Sequence, residues 1–525
     1  MPKVGMVSLG CPKNLVDSEV MLGILARRGY QLTSRADEAD VLVVNTCAFI
    51  EPAKRESIDA VLEMAEYKKF GAAKRLIVAG CLVERYRQEI LKEIPEVDFV
   101  IGTNELERVG EACDAGGDRR RADECLPPYL YHESTPRVLS TPPYSAYLKI
   151  AEGCDHPCSF CVIPQMRGRL RSRPLASVVR EAENLAKQQV REITIVGQDT
   201  TSYGEDLGLR DGLATLLRAL GNIPELVWVR FLYCYPNRVT DALLAAVAET
   251  PKVAKYFDIP LQHASGRVLR LMRRGSTGDH YLRLLGKIRA AIPKVTVRTS
   301  LIVGFPGESE DDFKTLLDFV AAAEFDHLGV FLYSREETSA SFSFPNPVPA
   351  RVARRRQRQL MALQRQISRR KLRKRVGQCL PVLVEGRSEE TDLLFRGRLE
   401  SQALGIDGQV LINDFEGPEP QPGELRQATL TAAGDYDLVA RLEARVIVPC
   451  PVPASPLAAG PRLVQIQPAA VAASPRSVGN CLGHPSPEGA DPAYAGWVHA
   501  QPAPQGGTQL SGLRPLPLST DRGSG

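Results

Sequence analysis

The segment Ala151-Glu152-Gly153-Cys154-Asp155-His156-Pro157-Cys158-Ser159-Phe160-Cys161 decides the class of this protein. Its three thiols have the spacing C-x3-C-x2-C, and it follows a short apolar run, residues 147–150, that is typical of a strand. Thiolates are the natural ligands of iron–sulfur clusters. Three of them on one loop can hold three corners of a cubane and leave the fourth iron free to bind a small molecule.

A structural zinc site is the alternative interpretation of this loop. Structural zinc takes four protein ligands, commonly from two separated pairs. A second C-x2-C pair does not occur anywhere in the sequence. The spacing therefore favours a cluster over zinc.

The composition indicates a multidomain globular protein. A chain of 525 residues with 44% apolar and 24% charged residues is expected to form two to four domains. The sequence has no apolar run of about 18 residues that could cross a bilayer, and its first residues enter a strand-like run without a secretory signal. Its 12 cysteines therefore indicate metal or redox chemistry in a reducing compartment, so we expect a cytoplasmic protein without membrane contact.

Residues 1–135 alternate apolar strand-like runs with amphipathic helical stretches, which is typical of a parallel sheet covered by helices. A cysteine follows each of three strand-like runs: Cys11, Cys47 and Cys81. Ligands of open α/β sheets bind at the carboxyl ends of the strands, so we expect these thiols to converge. Three unrelated core thiols are the alternative, because free cysteine is often buried. The regular placement favours a second metal cluster.

Residues 136–350 repeat strand and helix six times, which predicts a partial (βα)6 barrel with its chemistry at the C-terminal face. Residues at the strand ends are candidates for binding a ligand. The candidates are Gly197, Gln198, Asp199 and Gly304. His263 is either a further contact or a buried histidine of the barrel rim.

The last third of the chain divides into three segments. Residues 351–375 carry twelve Arg or Lys and no acid although the whole chain has a net charge of only +4. This segment is either a solvated linker helix or a surface for an anionic partner such as ribosomal RNA. Residues 376–442 alternate with period two, which predicts a small antiparallel β-barrel of OB type. Residues 443–525 are rich in Pro and Gly, as expected of a disordered tail.

These motifs resemble those of the methylthiotransferases of the radical S-adenosylmethionine (SAM) superfamily, over residues 1–442. The resemblance is carried by the C-x3-C-x2-C loop, by Gly-Cys11, Asn-Thr-Cys47 and Gly-Cys81, and by Asp435-Tyr436-Asp437-Leu438, which is similar to the end of a TRAM module. It implies two 4Fe-4S clusters and SAM as cofactors, with chemistry at the clusters and none assigned to acid–base side chains. The implied ligands are Cys11, Cys47 and Cys81 for the first cluster and Cys154, Cys158 and Cys161 for the second. The implied SAM contacts are Phe160, near the adenine, and Gly197, Gln198, Asp199 and Gly304.

Two branches of this family differ in substrate. One modifies an adenosine of transfer RNA, and the other modifies the β-carbon of an aspartate in small-subunit ribosomal protein S-twelve. The motifs at residues 45–50, 151–158, 163–168, 198–200 and 258–263 resemble the ribosomal-protein branch, whereas Glu337 stands where the family usually has Gly. The implied partners are protein S-twelve, on a ribosomal subunit with RNA contacts, and an electron donor. A non-enzymatic iron–sulfur RNA-binding protein is the remaining alternative.

Overall fold

The computed structural model describes residues 1–114, 129–389 and 391–449. Residues 450–525, most of the expected tail, lie outside the described residues. The described part of the chain forms a parallel α/β sheet, an open barrel of parallel strands and a small closed barrel, which confirms the expected fold class. Within the same residues, no helix is both long enough and apolar enough to cross a bilayer.

The N-terminal unit is a five-stranded parallel sheet with a hydrophobic core on each face. In chain order its elements are β1 (Lys3–Ser8), α1 (Pro12–Arg27), β2 (Gln31–Thr33), β3 (Val41–Thr46), α2 (Glu51–Phe70), β4 (Arg75–Gly80), α3 (Cys81–Glu93), β5 (Phe99–Ile101) and α4 (Val109–Cys113). The strand order is β2-β1-β3-β4-β5. Strand β3 is buried along its whole length, which explains its almost continuous apolar sequence.

Two elements of this unit differ from what the sequence pattern predicts. Strand β2 has three residues at the sheet edge, too few for an alternating pattern to be visible. Apolar periodicity predicts the third helix from about residue 85, but α3 begins at Cys81. Non-helical dihedral angles at Tyr86 (φ −137°, ψ 36°) interrupt the helix, so the periodicity reports only its second part.

The central unit contains six parallel strands and confirms the partial barrel. In chain order its elements are β6 (Ser145–Lys149), β7 (Ala151–Glu152), α5 (Ile163–Arg167), β8 (Arg171–Ser172), α6 (Leu175–Lys187), β9 (Glu192–Val196), α7 (Gly212–Gly221), β10 (Trp228–Phe231), α8 (Asp241–Glu249), β11 (Tyr256–Asp258), α9 (Gly266–Leu271), α10 (Gly278–Ala291), β12 (Thr296–Val303), α11 (Glu310–Ala323) and β13 (His327–Leu332). Strands β6, β9 and β10 form one half, and β11, β12 and β13 form the other. A parallel bridge between Val229 and Val253 joins the halves.

A long basic helix leads into the closed C-terminal barrel. The basic helix is α12 (Ala350–Arg373). The strands of the barrel are β14 (Cys379–Arg387), β15 (Phe395–Leu399), β16 (Val410–Phe415), β17 (Leu425–Ala433) and β18 (Leu438–Val448). All neighbouring strands are antiparallel except β16 and β18, which run parallel and complete the closure. Strand β18 extends beyond the expected barrel end at residue 442, and Val448 pairs with Leu425. The second half of β18, residues 443–448, is half-buried or exposed, so it adds no buried residue to the barrel core.

The charge of α12 is less exposed to solvent than the sequence indicates. Five of the twelve basic residues in 351–375 form ion pairs with acids of the barrels. These are Arg355, Arg356, Arg369, Arg370 and Lys371. The helix is therefore partly a packing element: Arg356 is buried against Glu308, and Gln357 donates to the carbonyl of Val330.

A buried ion pair docks the C-terminal barrel onto the central one. Arg398 Nη2 lies 2.5 Å from Glu192 Oε2 on β9, and its Nε lies 2.5 Å from Glu385 Oε1. Burial disfavours the Glu192 carboxylate, but the adjacent guanidinium groups of Arg398 and Arg230 outweigh it and keep the pKa of Glu192 low. Arg398 therefore compensates one buried carboxylate from each barrel, and Arg230 shares in the compensation of Glu192.

Replacement of Arg398 tests this docking. We expect Arg398→Met to lower the free energy of unfolding by about 3–5 kcal/mol, because Glu192 and Glu385 stay buried with less compensation. The double variant with Glu192→Gln is expected to recover part of that loss. Arg387→Met is the control, since its exposed pair with Glu419 contributes about 1 kcal/mol or less. Calorimetry measures all three, and equal losses for the single and double variants would contradict this account.

Candidate active site

The first group of cysteines lies at the carboxyl ends of three neighbouring strands. Cys11 follows β1 and precedes α1, Cys47 follows β3, and Cys81 begins α3 directly after β4. Strands β1, β3 and β4 are adjacent and parallel, so these ends meet at one edge of the sheet. We name Cys11, Cys47 and Cys81 the sheet triad.

Two glycines allow the loops of the sheet triad to approach each other. A Cβ atom on Gly10 (φ +89°) would lie 2.7 Å from the Cβ atom of Cys47 and 3.0 Å from its Sγ. A Cβ atom on Gly80 (φ +95°) would lie 2.6 Å from the carbonyl oxygen of Thr46. Both dihedral angles also favour glycine. The Gly-Cys pairs of the sequence therefore reflect close packing around Cys47.

Hydrogen bonds from buried polar side chains order the same loops. Asn45 Nδ2 donates to the carbonyl of Asn14 (2.9 Å), and Asn14 Nδ2 donates to the carbonyl of Leu9 (2.6 Å). The backbone N–H of Cys47 donates to Ser57 Oγ (2.9 Å). Asn45 of the Asn-Thr-Cys motif thus ties the loop after β3 to the loop after β1.

Cys81 of the sheet triad is buried, whereas Cys11 and Cys47 are half-buried. Burial, followed by the charges of Cys81 and Cys11, raises the pKa of Cys47. Burial also raises the pKa of Cys81, against the opposing effect of the Arg167 guanidinium. Such thiols stay protonated at neutral pH unless a metal replaces the proton. Three partly shielded sulfur donors at one sheet edge fit an iron–sulfur cluster.

The second group, Cys154, Cys158 and Cys161, lies on a loop whose two ends are held together. We name it the loop triad. Strands β7 and β8 pair antiparallel at the base of the loop, and Cys154 N–H donates to the carbonyl of Gly168 (3.1 Å). A Cβ atom on Gly153 (φ +79°) would lie 2.0 Å from the carbonyl oxygen of Arg169. Glycine is therefore required before Cys154 to close the loop.

The tip of this loop is anchored to the barrel, and its three thiols are half-buried. Ser159 Oγ donates to the carbonyl of Leu271 (2.8 Å), and Ser159 N–H donates to that of Met272 (3.1 Å). Burial raises the pKa of both Cys154 and Cys161 to about 12. In the described part of the chain, no group of three or more His, Cys, Asp or Glu side chains is placed to hold a metal ion. The loop triad supplies three sulfur donors on one loop, which is the type of ligand that iron–sulfur clusters take.

A stack of side chains supports the loop triad from the barrel side. The His156 ring lies 3.6 Å from the Tyr235 ring, centroid to centroid, at an interplanar angle of 10°. The guanidinium of Arg274 lies 4.3 Å from the Tyr235 centroid, and its Nη1 lies 3.6 Å from Cys158 Sγ. His156 Nε2 is 2.6 Å from Asp199 Oδ2. The stack holds the part of the loop between Cys154 and Cys158.

Asp199 and Gln198 have partners within the protein. The Asp199 carboxylate accepts from Thr201 N–H (2.9 Å) and Ser202 Oγ (2.7 Å) besides its contact with His156, so it positions the loop triad. Gln198 Nε2 donates to Glu152 Oε1 (2.6 Å), while Gln198 Oε1 is buried without a partner in the described residues. Of these two predicted SAM contacts, Gln198 has the polar atom that still requires a partner.

The remaining predicted contacts differ in what surrounds them. A Cβ atom on Gly197 would meet no atom closer than 3.7 Å, so the protein itself does not require glycine there. At Gly304 (φ +83°) a Cβ atom would lie 2.6 Å from that of Ala353, so packing against α12 explains this glycine. Phe160 is half-buried against a small cluster that includes Phe305.

His263 is a buried histidine of the barrel. Its side chain is fully buried, and burial lowers its pKa to about 3, so the ring is neutral. Its Nδ1 accepts from the N–H of Ser265 (3.0 Å), which leaves the proton on Nε2, and Nε2 has no partner among the described residues. The contact with Ser265 orients the ring, and Nε2, like Gln198 Oε1, is a buried polar atom that still requires a partner.

Four buried charges join the sheet unit to the base of the cysteine loop. Lys149 Nζ contacts Asp17 Oδ1 and lies 2.7 Å from Glu152 Oε2. Arg167 Nη1 lies 2.8 Å from Asp17 Oδ2 and 3.1 Å from Glu152 Oε1. We name Asp17, Lys149, Glu152 and Arg167 the junction quartet. None of its side chains is more than 3% exposed.

Arg167 also connects the two triads. It is the last residue of α5, which begins two residues after Cys161, and its Nη2 lies 3.4 Å from Cys81 Sγ. The sequence analysis did not identify Arg274 or the four residues of the junction quartet, because isolated charged residues are usually solvated. One residue gave a signal: Glu152 is a carboxylate in a short strand, two residues before Cys154.

Three known families match consecutive parts of the chain. Uncharacterized protein family UPF0004 matches residues 3–102, the radical SAM superfamily matches residues 148–320, and the TRAM domain matches residues 376–442. A solved structure of the radical SAM methyltransferase TsrM from Kitasatospora setae aligns with a TM-score of 0.47 and 15% identity, over 65% of this chain and 74% of that one.

Two named relatives match this chain over almost their whole length. The ribosomal protein uS12 methylthiotransferase RimO of Solibacter usitatus is 58% identical over 467 residues, which are 89% of this chain and 99% of the relative. That of Koribacter versatilis is 54% identical over 84% of this chain and 96% of the relative. The chain belongs to the family of ribosomal protein uS12 methylthiotransferases within the radical SAM superfamily.

Proposed function

We propose that this protein is a radical SAM enzyme that adds a methylthio group to the β-carbon of an aspartate in ribosomal protein uS12. Family membership supports the reaction class, because the relatives carry that name. The arrangement of the two triads supports a reaction that needs two metal centres. Neither zinc binding nor a purely RNA-binding role uses two separate sets of three thiols.

The observation that carries the proposal is that one segment of the barrel reaches both triads. Lys13, two residues after Cys11, has its Nζ 3.4 Å from the centroid of the Tyr233 ring. The Tyr235 ring stacks on His156 of the loop that carries Cys154 and Cys158, with 3.6 Å between the ring centroids. Tyr233 has a left-handed φ of +64°, and strained backbone in non-glycine residues clusters at functional sites. The short segment after β10 therefore borders both metal sites.

The residues of the two triads and of the barrel would have separate roles in binding the clusters and SAM. The sheet triad would hold one 4Fe-4S cluster and the loop triad the other. When bound, the clusters supply the electron that opens SAM reductively and the site from which sulfur is delivered. Phe160, Gly197 and Gln198 would line the SAM site, with Gln198 Oε1 as its polar contact. Asp199 would act on SAM only through His156 and the position of the loop.

The basic helix supports a further contact with the ribosomal subunit. Six of its exposed cations make no ion pair with any described residue: Arg351, Arg354, Arg358, Arg365, Arg373 and Lys374. Arg351, Arg358 and Arg365 recur every seventh residue, which puts them on one stripe of α12. Phosphate groups of ribosomal RNA match such a stripe. An electron donor completes the proposed set of partners.

Mass spectrometry of the substrate tests the function. We expect uS12 incubated anaerobically with reconstituted enzyme, SAM, a sulfur source and a reductant to gain one methylthio group on an aspartate. Transfer RNA treated in the same way is expected to gain none. Unmodified uS12 together with a methylthioadenosine in transfer RNA would assign the chain to the other reaction.

Variants of the two triads test whether one centre serves SAM cleavage and the other serves sulfur delivery. We expect Cys158→Ala to lose about half of the bound iron and all SAM cleavage, because the loop triad is incomplete. Cys47→Ala is expected to lose the other half, to continue to cleave SAM to 5′-deoxyadenosine, and to form no methylthiolated product. Iron analysis and chromatography give both readouts. Cys234→Ala is the control, since this buried thiol belongs to neither triad.

If the cysteines of the triads were ordinary core thiols, SAM cleavage and methylthiolation would both fall, in parallel with the stability of the protein. A Cys47→Ala enzyme that makes methylthiolated product at the normal ratio to 5′-deoxyadenosine would refute the two-site arrangement.

The salt dependence of binding tests the basic stripe. We expect Arg351→Gln with Arg358→Gln and Arg365→Gln to weaken binding to small ribosomal subunits and to flatten its dependence on salt, because fewer phosphates are contacted and fewer counterions are released on binding. Modification of isolated uS12 is expected to stay unchanged. Arg370→Gln with Arg355→Gln is the comparison, since these cations already pair with Glu324 and Glu310. An equal loss of affinity per charge removed in both variants would show that net charge, and not the stripe, is responsible.

A further inference from the structure

Each triad has one buried arginine whose guanidinium lies beside one of its sulfurs. Arg167 Nη2 is 3.4 Å from Cys81 Sγ, and Arg274 Nη1 is 3.6 Å from Cys158 Sγ. Arg167 is 1% exposed and Arg274 is 5% exposed. A buried guanidinium costs considerable solvation free energy, so its position beside a sulfur needs an explanation.

Carboxylates orient the guanidinium of Arg167. Its Nη1 is directed at Asp17 and Glu152, which leaves Nη2 to Asn14 Oδ1 (3.1 Å) and to Cys81 Sγ. Two acids also neutralise the charge of Arg167 locally, although Lys149 shares them. Arg167 is therefore a directed N–H donor with little net charge around it.

Arg274 has a different environment. Its Nη2 donates to the carbonyl of Pro260, and its plane lies over Tyr235, but no carboxylate pairs with it among the described residues. Its Nε is buried and has no partner in the same residues. The positive charge beside Cys158 is therefore uncompensated except by the sulfurs of the loop triad.

Hydrogen bonds and positive charge near cluster sulfurs stabilise the reduced state, which carries one more negative charge. We propose that Arg167 and Arg274 are positioning residues that raise the reduction potentials of the centres on the sheet triad and the loop triad, respectively. Arg274 has the larger effect, because acids neutralise only Arg167. This inference rests on the proposed function, since it requires a cluster on each triad.

The same geometry predicts that removal of the Asp17 charge and removal of Arg167 shift the reduction potential of the sheet-triad centre in opposite directions. Loss of the Asp17 charge leaves the guanidinium less neutralised while its N–H stays near Cys81. Asp17→Asn is therefore expected to raise the potential of the sheet-triad centre, whereas Arg167→Gln lowers it. A residue that only holds the units together would give the same direction of change for both substitutions.

Redox titration monitored by electron paramagnetic resonance tests the proposal without reference to activity. Each centre is measured alone, in full-length protein that carries Cys→Ala substitutions in the other triad. We expect Arg167→Gln to make the sheet-triad potential more negative and Arg274→Gln to make the loop-triad potential more negative by a larger amount. Arg274→Lys, which keeps the charge, is expected to restore part of the shift. Arg169→Gln is the control, since that side chain is 91% exposed.

The outcomes separate this inference from the function on which it rests. Absence of a cluster signal on either triad of the otherwise unchanged protein would overturn both. Clusters that are present with unshifted potentials in Arg167→Gln and Arg274→Gln would overturn the inference alone. If Arg167→Gln does not retain iron, Asp17→Asn decides the matter for the sheet triad, and an unchanged or lower potential there counts against the proposal.

Discussion

The relative position of the sheet triad and the loop triad depends on the junction quartet. Asp17 comes from α1 of the sheet unit, whereas Lys149, Glu152 and Arg167 come from the first strand of the barrel and the two ends of the cysteine loop. Separation of the units would break the contacts of Asp17 with Lys149 and Arg167, and loss of the Asp17 charge in the docked protein would leave an excess buried positive charge, which is strongly unfavourable. A second buried pair from the same helix, Arg137 with Glu19 at 2.6 Å, acts in the same direction. Helix α1 thus presents acids, and not only apolar groups, to its neighbour.

Much of the fold and the grouping of six cysteines into two triads could be predicted from the sequence, because the signals are local. The spacing of Cys154, Cys158 and Cys161 lies within one loop, and Cys11 and Cys47 each follow an apolar run that forms a strand. Strand ends of a parallel sheet meet at one edge, so topology alone brings distant cysteines together. The barrel and the closed C-terminal unit likewise follow from repeated short patterns.

What could not be predicted depends on contacts between distant segments. Gly304 resembles a ligand-binding glycine, but its neighbour is Ala353 on a helix about fifty residues later. Asp199 resembles a ligand for SAM, but its oxygens are used by His156, Thr201 and Ser202. Glu308 explains the burial of Arg356 in an otherwise exposed basic helix. In each case the partner is set by packing of the units, which no local pattern contains.

Each triad is complete within one folded unit, and this has a consequence for biogenesis. The chain emerges from the ribosome from its N-terminus, and domains generally fold as units during synthesis. The sheet triad is therefore complete before any strand of the barrel has been made. Arg167 arrives later and lies against Cys81 when the barrel docks. The sulfur of Cys81 is therefore more accessible in the nascent sheet than in the finished chain, whereas Cys11 and Cys47 keep partial exposure after docking.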